Sequence, residues 1–314
     1  MSEWLIGSEN DSLCALPNWT DWPLRMLKTL FVSLQYILPH HGISRLVGRL
    51  AHSERRWLSQ RFIRLFARRY QVNMAEAAQP DLAAYPSFNA FFTRALRSDA
   101  RNLQQAANLP PDALICPVDG AVSQAGTIQA DRIFQAKGQH FTTQELLGRD
   151  DRTAPTEYDQ GRFATLYLSP RDYHRIHMPC DGTLVRMIHV PGRLFSVNPA
   201  TAERVPRLFA RNERLVCEFQ TPHGPMALVL VGAMIVASIG TTWAGTVAPN
   251  GSRDVRSWHY GADAPRFRRG DEMGRFLLGS TVVMLTPADA PAWEAELQAT
   301  QPVQVGQPLN GQSG

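Results

Sequence analysis

The sequence predicts an α+β protein in which basic amphipathic helices at the N-terminus precede a β-rich core of sandwich or barrel-like form. Between residues 25 and 69 ten basic residues meet one acid, Glu54, and the apolar residues among them recur three to four apart, the period of a helix face. From Leu114 onward short apolar or alternating runs succeed one another between turn dipeptides, which is the texture of strands. A chain of 314 residues with 44% apolar and 19% charged side chains can bury a substantial core.

The first helical stretch is LRMLKTLFVSLQYIL. The second is WLSQRFIRLFARRY, where Trp57, Leu58, Phe62, Leu65 and Phe66 share a face and arginines stand between them. The segment 25–69 carries a charge near +9; since the whole chain is +4, the remainder is near −5. Two basic amphipathic stretches in tandem suit the surface of an anionic bilayer, the alternative being an ordinary solvated helix face. PSFNAFFTRALR reads as a short helix and AANLPPDA as a linker. These features divide the chain into a helical, membrane-associating region (1–105), a β-rich catalytic core (106–290) and a C-terminal tail (291–314), whose last stretch QPVQVGQPLNGQSG has a disordered composition.

Within the core, LICPVDGAVSQAG, FATLYLS, GTLVRMIHV, RLVCEFQ, MALVLVGAMIVASIG and TVVMLTP read as strands, with turns at Asp119-Gly120, Asp181-Gly182 and residues 222–225. TQELLG reads as a small helix. Met226 to Ala248 has no formal charge and is long enough to raise the question of a membrane span. Its density of Val, Ile and Thr, cut by Gly232, Gly240 and Gly245, assigns it to strands instead. Cys14, Cys116, Cys180 and Cys217 are too scattered for a disulfide framework or a zinc ribbon, and MSEWLIGSENDSLC lacks the form of a secretory signal, so a reducing cytoplasm is expected. The basic N-terminus has no nucleic-acid-binding motif beside it.

Three places hold more polar chemistry than a β core needs: Asp119 in CPVDGAV, His174 and His177 in LSPRDYHRIHMPCDG, and Ser280 in RFLLGSTVVML, where Gly279 and a hydroxyl interrupt a buried run. Asp, His and Ser together form the set in which a base takes the hydroxyl proton and a carboxylate orients the base. Ser280 lacks the G-x-S-x-G setting of an α/β-hydrolase. Three uses stay open at this point: a hydrolase acting on an external ester or amide, a serine that attacks its own chain, and a catalytically silent membrane adaptor. A zinc site of His174, His177 and Cys180, spaced by threes, would need a helix that Pro179 disfavours, and no fourth ligand is evident.

The segments SPRDYHRIHMPCDG, HVPGRLFSVNP, LFARNERLV, VGAMIVASI, TTWAGTV and RRGDEMGRFLLGSTVVML, in this order, closely resemble the bacterial-type phosphatidylserine decarboxylases, from about Phe88 to Leu285. The resemblance implies self-cleavage between Gly279 and Ser280, giving a β chain 1–279 and an α chain 280–314 held together as a heterodimer. It also implies a covalent pyruvoyl (pyruvate) group derived from Ser280 that forms a Schiff base with phosphatidylserine and releases CO2 and phosphatidylethanolamine. Asp119, His177 and Ser280 would be the relay for self-cleavage and His174 a proton donor or carboxylate-positioning group. Thr281 would support the elimination, and Arg171 or Arg175 would assist the departing carboxylate. The expected setting is peripheral, on the cytoplasmic face of the cell membrane, with no metal and no nucleic acid.

Overall fold

The computed structural model describes residues 22–149, 154–234, 238–248, 253–277, 280–294 and 297–310. Leu278 and Gly279, and with them the carbonyl side of the expected cleavage bond, lie outside the described residues. The described residues begin with three helices, α1 (Trp22–Ile37), α2 (His40–His52) and α3 (Arg56–Tyr70), followed by the short α4 (Phe88–Phe92) and α5 (Leu103–Ala107). The helical period places Ser59, Ile63 and Ala67 of α3 on one buried face. That face packs with Phe88, Phe91 and Phe92 of α4 in a small aromatic core.

The remaining elements are strands β1 (Gly120–Thr127), β2 (Arg132–Ala136), β3 (Gln139–Thr142), β4 (Arg162–Leu168), β5 (Arg175–His177), β6 (Gly182–Val190), β7 (Arg214–Thr221), β8 (Gly224–Val231), β9 (Ile239–Thr241), β10 (Gly245–Ala248), β11 (Arg256–His259), β12 (Arg266–Phe267), β13 (Glu272–Phe276), β14 (Ser280–Thr286) and β15 (Pro302–Val303), with short helices α6 (Thr143–Leu147), α7 (Pro199–Ala202) and α8 (Leu208–Arg211) between them. The small helix expected at TQELLG forms because Thr142 and Glu145 close a capping box around its first turn. The uncharged stretch at 226–248 is strand where it is described, in β8, β9 and β10.

A large antiparallel sheet runs in the order β11-β6-β7-β8-β14-β4-β1-β15, with β12 also on β6. A second sheet, β10-β9-β13-β5, and the hairpin β2-β3 complete the set. Along β14 the side chains alternate between two cores. Val282 and Met284 join Ile176, Met273 and Phe276 from the second sheet, while Val283 and Leu285 join Phe141, Leu147 and Phe209 on the opposite face. Burial on both faces explains why these strands read as continuous apolar runs. Strand β14 sits between β4 and β8, with Ser280 opposite Leu168.

Residues 301–310 are ordered where their composition suggests disorder. Val303 and Pro302 pair with Gly120 and Ala121, and the amides of Cys116 and Leu309 donate to Gln307 and Leu114 respectively. Asn310 accepts from the Leu114 amide at 2.6 Å and donates to the Asp112 carbonyl at 3.1 Å. The segment is ordered because its main chain and Asn310 supply hydrogen bonds to residues 112–122 and because Val303, Val305 and Leu309 are buried.

Candidate active site

Ser280, the first residue of β14, is fully buried, and its Oγ has no hydrogen-bond partner among the described residues. It lines a cavity of about 370 Å³ together with Phe62, Phe66 and Arg69 of α3, Phe92 of α4, and Tyr167 of β4. A buried hydroxyl without a protein partner costs free energy, and Ser280 is the one such hydroxyl among the described residues that lines this cavity. The adjacent Thr281 Oγ1 is likewise buried and unpartnered.

Backbone contacts place the other expected residues on the elements next to β14. Gly120 lies so close to β4 that a Cβ there would sit 2.1 Å from the Tyr167 carbonyl oxygen and 3.4 Å from the Leu168 Cα. Only glycine allows that approach. It brings Asp119 up to the strand that faces Ser280. The His177 amide donates to the Pro117 carbonyl at 2.9 Å, and the Phe276 amide to the His174 carbonyl at 3.0 Å, so both histidines sit between the Asp119 turn and the strand that leads to Ser280.

The side-chain bonds are arranged differently from the expected relay. Asp119 accepts two bonds from Arg101 Nε, at 3.0 and 3.1 Å, another from Arg101 Nη2, and one from the Val305 amide at 2.9 Å. Arg101 Nη2 also reaches Glu76 at 2.9 Å. His177 Nδ1 lies 2.7 Å from the Gly270 carbonyl and Nε2 3.0 Å from the Tyr173 hydroxyl. A carbonyl only accepts, so Nδ1 carries the hydrogen and Tyr173 donates to Nε2. Burial holds His177 below the usual imidazole range, opposed by its bond to Gly270 and by Glu272 and Asp119.

His174 has the same tautomer with the opposite end free. Its Nδ1 is 2.8 Å from the Asp172 carbonyl, whereas Nε2 is buried and has no partner among the described residues. Burial, with the charge of Arg94 adding to it, pushes its pKa down to about 3. The ring packs 4.0 Å from that of Phe92. In this state His174 offers a lone pair and not a proton, so it can give a proton only after first taking one.

Of the arginines expected to assist the carboxylate, Arg171 is mostly exposed, and Arg175 is committed to Glu272 at 2.8 Å and to the Thr93 carbonyl at 2.9 Å. The zinc alternative loses its donors: both His177 nitrogens are engaged, and burial pushes the Cys180 thiol up to about 12. Sequence reasoning missed Arg94, Arg101, Tyr173 and the Val305 amide. Arg94 stood in plain view in FFTRALR, but only the fold buries it.

A family model described as phosphatidylserine decarboxylase matches residues 88–310, and a second, described as PSD, matches residues 30–71. The phosphatidylserine decarboxylase proenzyme of Marinobacter nauticus is 58% identical over 284 residues, covering 90% of this chain and 97% of that protein. The proenzymes of Methylobacillus flagellatus and of Pseudomonas putida GB-1 are 55% and 54% identical, covering 85% and 90% of this chain and 95% and 98% of theirs. A family match over most of the chain, joined to that identity along nearly its whole length and to a buried, unpartnered Ser280 in an apolar cavity, places this protein in the phosphatidylserine decarboxylase family.

Proposed function

We propose that the chain is made as a proenzyme, splits itself between Gly279 and Ser280, and then converts phosphatidylserine to phosphatidylethanolamine and CO2 at an anionic membrane surface. The observation that carries this reading is the Ser280 hydroxyl, buried without a partner in the wall of an apolar cavity. In the first step Ser280 Oγ bonds to the Gly279 carbonyl carbon while the peptide C–N bond breaks and the nitrogen takes a proton, leaving an ester. Elimination then expels the Gly279 carboxylate. Addition of water and loss of ammonia leave the ketone of a pyruvoyl group.

Two bases serve these steps. His177 takes the hydroxyl proton on Nε2 once the Tyr173 bond is given up, with Asp119 close enough to favour the charged ring. His174 holds an open lone pair on Nε2 that can accept a proton from the substrate's ammonium and return it to the carbon that loses CO2. The pyruvoyl group supplies the electron-accepting carbonyl that these side chains lack. The residues suit it: phenylalanine walls exclude water, and the unpartnered Thr281 hydroxyl is at hand to hydrogen-bond developing charge.

After cleavage the α chain stays in place because β14 pairs with β4 and β8, and residues 302–310 with β1 and residues 114–119. Peripheral docking on a membrane, which we place on the cytoplasmic face, is supported as to the membrane alone by the surface of the helices. Leu30, Leu34 and Ile37 on α1, Leu46 on α2, and Trp57 and Leu65 on α3 are exposed beside the arginines of α2 and α3. No described helix is long and apolar enough to cross a membrane. Intact-mass measurement of the purified active protein is expected to give two chains, the shorter starting at residue 280 and blocked by a ketone. Full activity in one unsplit chain, labelled by a fluorophosphonate at Ser280, would instead establish the hydrolase reading.

A further inference from the structure

Arg94 is a buried cation with no carboxylate paired to it among the described residues; its guanidinium lies over the Phe91 ring, 5.6 Å from the centroid. The residue is 4% exposed, its Nε has no hydrogen-bond partner among the described residues, and its Nη2 donates to the Arg171 carbonyl at 3.2 Å. A guanidinium stripped of water at this cost needs a compensating role. Its carboxylate neighbours, Asp119, Glu76 and Asp172, act on it through space.

The surroundings give that role. Residues 92–94 grip the loop that carries His174 at three points. Phe92 packs on the His174 ring at 4.0 Å, the Thr93 carbonyl accepts from Arg175 Nε at 2.9 Å, and Arg94 donates to Arg171. The gripped loop is itself a closed turn, in which the Ser169 amide donates to Asp172 Oδ2 at 2.7 Å and the Asp172 amide to the Ser169 carbonyl at 3.0 Å. The next carbonyl, that of Asp172, receives His174 Nδ1–H. The direction of the Asp172 carbonyl therefore decides which nitrogen of His174 carries the hydrogen.

We infer that Arg94 is a positioning residue of this site: it fixes the turn at 169–172 and sets a positive charge beside the ring, keeping His174 in the Nδ1–H form with the Nε2 lone pair open. The inference rests on the decarboxylase reading for its catalytic consequence but not for the tautomer itself. Charged groups reach this region from several elements: Arg69 from α3, Arg171, Asp172 and Arg175 from the loop itself, Glu272 and Arg275 from β13, and Asp119 from the turn before β1. Arg175 and Arg275 are both paired with Glu272, and Asp119 with Arg101. Arg94 is bonded to the loop that carries His174, and its charge lowers the basicity of that ring.

The test compares R94Q and R94K with the parent in two preparations. In the full-length precursor carrying Ser280→Ala, ¹⁵N-histidine NMR reads the His174 tautomer from pH 5 to 8. In the processed protein, decarboxylation of phosphatidylserine in detergent mixed micelles gives kcat, KM and their pH dependence. In the parent and R94K, His174 Nε2 is expected to stay unprotonated across that range. In R94Q the Nε2 signal should show protonation or tautomer mixing, kcat should fall about tenfold with KM little changed, and the acid limb of the kcat profile should move up toward the ordinary histidine range. An unaltered Nε2 signal in R94Q overturns the inference, as does equal loss of kcat in R94K and R94Q with an unmoved acid limb. If R94Q does not fold, R94K decides the matter: Nε2 protonation there, with the charge retained, refutes the role. A parent protein that neither splits nor decarboxylates sinks the functional reading, while the NMR result still judges Arg94.

Discussion

Replacing Arg101 by Met should destabilise the protein out of proportion to its place in a loop. The guanidinium gives Asp119 three hydrogen bonds and Glu76 a fourth, and both it and Asp119 are nearly out of solvent. Removing one partner of a buried pair leaves an uncompensated charge, which costs about 3–5 kcal/mol. Asp119 keeps its bond from the Val305 amide, so the lower end, about 3 kcal/mol, is the expected value. Asp119→Asn is milder, at about 2 kcal/mol, because Asn still accepts from Val305 and Arg101 keeps Glu76. The double variant removes both charges together and should cost about 3 kcal/mol, so that the pair couples by about 2 kcal/mol. The measurement belongs in a Ser280→Ala background, where every protein is a single chain, and uses urea and thermal unfolding; about 3 kcal/mol corresponds to roughly 6–12 °C in Tm. If the two single changes add to within about 0.5 kcal/mol, or if Arg101→Met melts with the parent, the ion pair does not hold Asp119 as argued.

Ser280→Ala itself should abolish chain splitting yet leave stability unchanged or slightly raised, since the hydroxyl it removes has no partner; intact mass and a melting curve test both halves. Acid should weaken the fold. His174 is held at about 3 against an ordinary 6.5, so below pH 6.5 the unfolded chain takes a proton that the folded chain refuses. The loss grows by about 1.4 kcal/mol per pH unit down toward pH 3 and is absent above pH 6.5. Urea midpoints across that window should show it, and His174→Gln should flatten it. Asn310→Ala removes the acceptor of the Leu114 amide and a donor to the Asp112 carbonyl and should cost about 1–3 kcal/mol in urea unfolding, whereas a disordered tail would give no change. Leu30→Glu with Ile37→Glu alters two side chains that stand in solvent, at 65% and 82% exposure. Melting should not move, while binding to anionic vesicles in a sedimentation assay should fall by more than about tenfold.

The sequence by itself determined the class of the fold and the order of its parts, because helix and strand periods, turn dipeptides and charge runs are local signals. It also marked Ser280, since a Gly-Ser step inside an apolar run is anomalous wherever it folds. Composition misjudged residues 301–310, which are held by their main-chain hydrogen bonds, by the Asn310 side chain and by the buried Val303, Val305 and Leu309. Which polar groups meet was decided only by the tertiary structure: Asp119 with Arg101, 18 residues away, and with Val305, 186 residues away, His177 with Tyr173 and Gly270, and Arg94 behind His174. The physical reason is that a hydrogen-bond partner, a tautomer or a depressed pKa depends on which groups burial brings together from distant segments. Residue type and spacing carry no record of that neighbourhood.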